Sequence, residues 1–146
     1  MKTSLLTILL AGLLADSAHA QVLAATRVPA VVVASFHKNF PAVKTVKWEK
    51  ENHDYEAGFT VGKMKMSAVI TAAGVLRETE TTLPVAQLPA AIQKTLSINY
   101  KAAKITEAAK IVTAATGITT YEAEISQGGQ HHDVLFHADG TEVVKK

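Results

Sequence analysis

The 146-residue chain has no cysteine, which excludes a disulfide framework and a lipidated cysteine anchor. Aromatic residues make up only 5% of it, and the net charge is a mild +2. Basic residues alternate with acids rather than clustering, and no aromatics interleave with them. Nucleic acid is therefore excluded as a partner, and acidic partners are not indicated. The longest apolar run, Leu5 to Leu14, is far below the roughly 20 residues that a membrane span requires. No Gly-rich phosphate loop, Gly-x-Ser-x-Gly elbow or His-Glu-x-x-His pair occurs, so no residue pattern argues for an enzyme or for a cofactor.

What is present begins with a leader. Lys2 precedes the apolar run, and Ala18-His19-Ala20 places small residues at both specificity positions of a cleavage site. Residues 1–20 read as a signal peptide, which makes the product periplasmic or secreted, without a membrane span after cleavage. Residues 21–146 fit a single mature domain, one that buries roughly two thirds of its unfolded surface and needs neither disulfide nor metal to hold a core.

That domain says the same thing twice. Val28-Pro29-Ala30 returns as Leu88-Pro89-Ala90 and Phe40-Pro41-Ala42 as Tyr100-Lys101-Ala102, both displaced by 60 positions. Further on, Tyr55-Glu56-Ala57 returns as Tyr121-Glu122-Ala123 and Ala73-Gly74 as Asp139-Gly140, displaced by 66. Two repeats, about 26–82 and 86–146, follow, the second longer by six residues within Ile111 to Thr120. The spacing of Val28, Val32, Phe36 and Phe40, repeated by Leu88, Ile92, Leu96 and Tyr100, predicts one amphipathic helix per copy, with Pro29 and Pro89 in the first turn. Alternation then takes over: Val46 and Trp48; Tyr55, Ala57, Phe59 and Val61; Met64, Met66, Ala68 and Ile70; and a fourth strand over Val75 to Glu80. Turns are expected at Asn52-His53-Asp54, Gly62, Ala73-Gly74, Gly128-Gly129 and Asp139-Gly140. Thr81 to Gln87, with Pro84, is expected to be a short connector. The predicted fold class is α+β: a tandem of helix-plus-antiparallel-sheet units packed in two layers, with the helices on one sheet face and the other face open.

Chemistry-bearing residues are few. His131 and Asp133 share a strand face while His132 points away, and His137 lies about 20 Å from His131. His131-x-Asp133 is a two-ligand fragment, short of the four ligands, or three plus water, that zinc takes. The acidic pairs Glu78/Glu80 and Glu122/Glu124 each lie about 7 Å apart on one strand face, a spacing seen in carboxylate sites and equally in any half-exposed strand. Lys50, Lys63 and Lys65 are expected to neutralise them across strands. The interface candidates are Glu56, Glu122, Glu124 and His131, with Trp48 as an aromatic anchor, although Trp48, like Tyr55, Phe59, Tyr100 and Tyr121, falls on a periodic core position.

Val28-Pro29, Phe36, Phe40-Pro41, Val46-Lys47-Trp48-Glu49, Tyr55-Glu56, Gly74 and Glu78-Thr79-Glu80 together resemble the PepSY-like, β-lactamase-inhibitor-like family of exported bacterial proteins. The second copy departs from that pattern, with Lys101 in place of the proline and Ala108 near the place of the tryptophan. The resemblance implies the inhibitor-protein architecture and a restrained hydrolase or peptidase as partner. This chain lacks the cysteines and the aromatic-rich faces of disulfide-bonded inhibitors of that shape, which argues against direct β-lactamase inhibition. The expected function is that of an exported, non-enzymatic protein-binding module of the cell envelope, a monomer or a weak dimer through its edge strands. The alternative is a periplasmic small-ligand or metal-binding protein using His131 and its neighbouring carboxylates.

Overall fold

The computed structural model describes residues 21–143; the predicted signal peptide lies outside them. Eight strands form one antiparallel sheet in strict chain order: β1 (Gln21–Leu23), β2 (Lys47–Glu51), β3 (Asp54–Val61), β4 (Met64–Thr71), β5 (Leu76–Leu83), β6 (Lys104–Thr113), β7 (Thr119–Gln127) and β8 (Gln130–Phe136). Two helices, α1 (Ala30–Asn39) and α2 (Ala90–Asn99), lie against it. The α+β, helix-on-antiparallel-sheet fold is thus the one expected from the alternating patterns.

Each helix buries its four-residue stripe. Val32 and Phe36 of α1 and Ile92 and Leu96 of α2 are buried, flanked by Val28 and Leu88 ahead of each helix. Pro29 and Pro89 occupy the N-cap position, one residue earlier than the pattern placed them, with extended backbone. A proline there presets the turn into the helix and sacrifices no hydrogen-bonded amide.

The strands alternate as the pleat demands. Trp48, Ala57 and Ala68 lie side by side in register, as do Ala108 and Ala123, and both rows face the helices. Two cores result: one around Phe36, Trp48, Phe59 and Ile70, the other around Ile92, Leu96, Ile125 and Phe136. In the first, Phe36 makes edge-on ring contacts with Trp48 and Phe59 at centroid distances of 5.5 and 5.2 Å. These arrangements satisfy the aromatic quadrupoles.

Thr81–Leu83 proves to be strand rather than connector. β5 continues through Leu83 and pairs with β4 through Met66↔Thr81 and with β6 through Leu83↔Ala108. Only Pro84 and the short 3-10 turn Val85–Gln87 then separate it from α2's N-cap. The two copies therefore share a strand and form one continuous sheet. The six extra residues lengthen the β6–β7 hairpin, where Ile111↔Thr120 and Val112↔Thr119 extend the pairing beyond what the short Glu51↔Asp54 turn of the first copy allows.

Candidate functional site

The side chains pointing away from the helices form a broad uncovered sheet face. Register places Glu49 beside Glu56, Val69 beside both Glu56 and Glu78, and Ser67 beside Glu80. Across the second copy, Glu107, Glu124 and Asp133 form one row, and Ala109, Glu122 and Leu135 another. Every strand aromatic, from Trp48 to Phe136, lies on the opposite, helix-covered side. The face is consequently acidic, with small apolar patches and, among the described residues, no Phe, Tyr or Trp.

Near its middle is a shallow hollow of about 330 Å³. Val69, Ile111 and Leu135 give it an apolar floor, and Glu56, Glu78, Glu80 and Glu122 stand around that floor. Burial pushes the Glu80 carboxyl above the usual carboxylate range, and the neighbouring charges of Glu56, Glu78, Asp133 and Glu107 push it the same way. Both effects disfavour the ionised form. The sequence pairs Glu78/Glu80 and Glu122 thus come together across β5, β6 and β7, a convergence that depends on strand pairing between residues some forty positions apart.

Two of the lysines expected to neutralise these acids lie elsewhere. Lys50 lies over the Tyr55 ring at 5.7 Å, on the helix side, and Lys63 sits in the β3–β4 turn. Close contacts of acids include the ion pairs Lys47–Glu49 at 2.5 Å and Arg77–Asp54 at 2.6 Å, and the His131 imidazole lies 2.8 Å from Glu124. None of these six residues lines the hollow. Alternation along single strands could not reveal these partners, because Arg77 acquires its position from a register shift between Val69 and Ile70.

His131 and Asp133 do share the uncovered face, and His132 turns toward the Tyr100 ring on the other. His131 Nδ1 is engaged by Glu124 Oε1, and Glu124 also accepts a hydrogen bond from Thr106. Those two contacts hold the Glu124 carboxyl below the usual range. Among the described residues no group of three or more His, Asp or Glu is placed to hold a metal. Trp48, only 4% exposed, belongs to the first core, so the reason it falls on a periodic position is packing, and it is not part of the uncovered face.

The model of the family described as "Putative beta-lactamase-inhibitor-like, PepSY-like" matches residues 15–77 and again 71–142. The chain belongs to this family. Its two matches meet within the shared strand β5 and its flanking turn, as a tandem architecture requires. Solved structures with the same fold include a BLIP-like protein from Bacteroides fragilis, 19% identical, with a TM-score of 0.64 over 80% of this chain and 83% of that one. A DUF2874 family protein from Bacteroides uniformis is 16% identical, with a TM-score of 0.71 over 80% of this chain and 86% of the other. A third, from Bacteroides eggerthii, is described as a "putative periplasmic" protein and is 13% identical, with a TM-score of 0.71 over 81% and 87% of the two chains. No curated protein matches the chain. No helix among the described residues is long and apolar enough to cross a membrane. At these identities the likeness is one of fold.

Proposed function

We propose that the chain is an exported, non-enzymatic binding module of the cell envelope, periplasmic or secreted, whose uncovered sheet face docks a cationic segment of another protein. One observation carries this reading: among the described residues no layer covers the face opposite the helices, and carboxylates surround its apolar hollow. Apolar centres ringed by charge are how transient interfaces are built, the centre supplying desolvation and the ring supplying orientation and on-rate. Glu56, Glu122, Glu124 and His131 all lie on this face. The family's inhibitor-like description supports a restrained hydrolase or peptidase as the target.

The test is capture. Tagged residues 21–146 are incubated with native envelope extract, and bound proteins are quantified by mass spectrometry at low and high salt. One stoichiometric partner is expected, released as salt screens the face. It should be lost by the triple variant Glu56→Gln, Glu78→Gln, Glu122→Gln at a melting temperature no lower than that of the wild type. Capture that persists with the altered face would place the contact elsewhere.

A further inference from the structure

The two copies differ at one end of the sheet, and the difference leaves a groove. In the second copy the chain entering β6 zips onto β7 as far as Ile105↔Ile125 and Lys104↔Ser126. In the first, pairing of β2 with β3 stops at Lys47↔Gly58, and residues 42–46 stand off from the end of β3. Between them lies a cavity of about 810 Å³. Its apolar lining includes Val43, Phe59, Val61 and Met66, its cations are Lys44, Lys47 and Lys65, and no carboxylate lines it.

The repeat supplies a template for what would complete this groove. By the 60- and 66-position shifts, Lys47 corresponds to Glu107, Gly58 to Glu124 and Lys65 to His131. The strand registers agree, since Lys47↔Gly58 matches Glu107↔Glu124 and Thr60↔Lys65 matches Ser126↔His131. In the second copy the Glu124 carboxylate reaches the side chain at the third position, with His131 Nδ1 at 2.8 Å. In the first, glycine stands where that carboxylate originates and lysine stands where it would be received. Glu49 holds Lys47 at 2.5 Å, while Lys44 and Lys65 have no anionic partner among the described residues.

We infer that this groove binds an organic anion with a single carboxylate or phosphate head on an apolar body, the head taken by Lys65 and Lys44 and the body lying along Val43, Phe59 and Met66. The chemistry is complementary on both counts: cations without counter-charge at the rim, and apolar surface in a cavity within the roughly 300–1,000 Å³ range of small-ligand sites. A free acyl carboxylate and an anionic lipid headgroup share this chemistry. The inference is independent of the protein contact proposed above, which uses the acidic hollow of the uncovered face.

Two arms separate the sources: calorimetric titration with monomeric decanoate, and co-sedimentation with phosphatidylglycerol vesicles. The discriminating variant is Gly58→Glu, which imports the second copy's own carboxylate. An added Cβ there meets only the Lys47 carbonyl oxygen at 3.7 Å, an ordinary contact, so the fold should accept it. The double variant Lys44→Ala, Lys65→Ala gives a second route. Saturable binding in one arm is expected, weakened about tenfold or more by either variant, with decan-1-ol binding far more weakly than decanoate. Binding in the decanoate arm assigns a free anion, and binding in the vesicle arm alone assigns a headgroup. Absence of binding in both arms, equal binding of decan-1-ol, or binding unchanged in both variants would overturn the inference.

Discussion

Glu80 sits where the fold resists its charge. It faces Ser67 on one side and Ile111 on the other, half-buried, with acids around it and its carboxyl held above the usual range by burial and then by Glu56 and Glu78. Well below the ordinary carboxylate pKa, Glu80 is protonated in the folded and unfolded chains alike, and the fold suffers no penalty. As pH rises through the window between the ordinary and the raised value, the unfolded chain releases its proton first, so stability falls across that window. Glu80→Gln removes the ionisation. The variant should therefore be more stable than wild type at pH 7, with the difference closing by about pH 4 as the native carboxyl becomes neutral. Urea denaturation at the two pH values measures this, and a pH-independent difference would show that packing rather than charge governs the site. A cationic partner would act in the opposite sense and favour the charged form, coupling docking to release of the Glu80 proton.

The helices and turns show how the two copies keep one architecture with different side chains. Gly74 and Gly140 are equivalent turn residues with φ of 82° and 86°. Each lies under the first turn of its helix, where an added Cβ would come within 2.7 Å of the Val31 side chain or the Ala91 carbonyl oxygen. Gly62 also has positive φ, at 63°, but nothing lies within 4 Å of its missing Cβ. Backbone strain alone should make Gly62→Ala cost about 1 kcal/mol. Gly74→Ala adds the collision with α1 and should cost about 2 kcal/mol or more, read as the shift in denaturant midpoint. Equal losses would mean that α1 yields freely at its N-terminus. Both glycines were visible in the sequence as turn punctuation, and so were the helix stripes and most strands, because burial of a regular face leaves a period in the residues. The strand Thr81–Leu83 was hidden because its threonines carry little hydropathic contrast and Pro84 follows directly. β1 was not foreseen either, since three residues at an edge bury too little to pattern. The uncovered face was expected, but its acidic hollow and the His131–Glu124 pair depend on cross-strand register, which no local pattern encodes.

At the scale of the whole molecule, a mild net charge conceals a division of labour between faces: rings and aliphatic residues under the helices, carboxylates on the other side. The same division explains why a 5% aromatic content suffices for two cores. What joins those cores is β5, whose residues Glu78 to Thr81 pair with β4 and β6 at once. Neither copy can lose its sheet without stripping that strand from the other, so the two cores should unfold together despite having separate hydrophobic contents. Trp48 is the chain's single tryptophan and lies in the first core, which makes its fluorescence a reporter of that copy alone. Amide signals of Ile125 and Phe136 in NMR spectra report the second. Denaturation followed by the two probes should give coincident midpoints and a single slope, as two-state behaviour requires. If Trp48 became exposed at a different denaturant concentration from that at which the second core's signals are lost, β5 would be a seam between separable units. The uncovered face would then be two surfaces capable of opening independently, and a partner spanning β4 to β7 would be expected to bring the two midpoints together, because only the joined sheet presents the complete hollow.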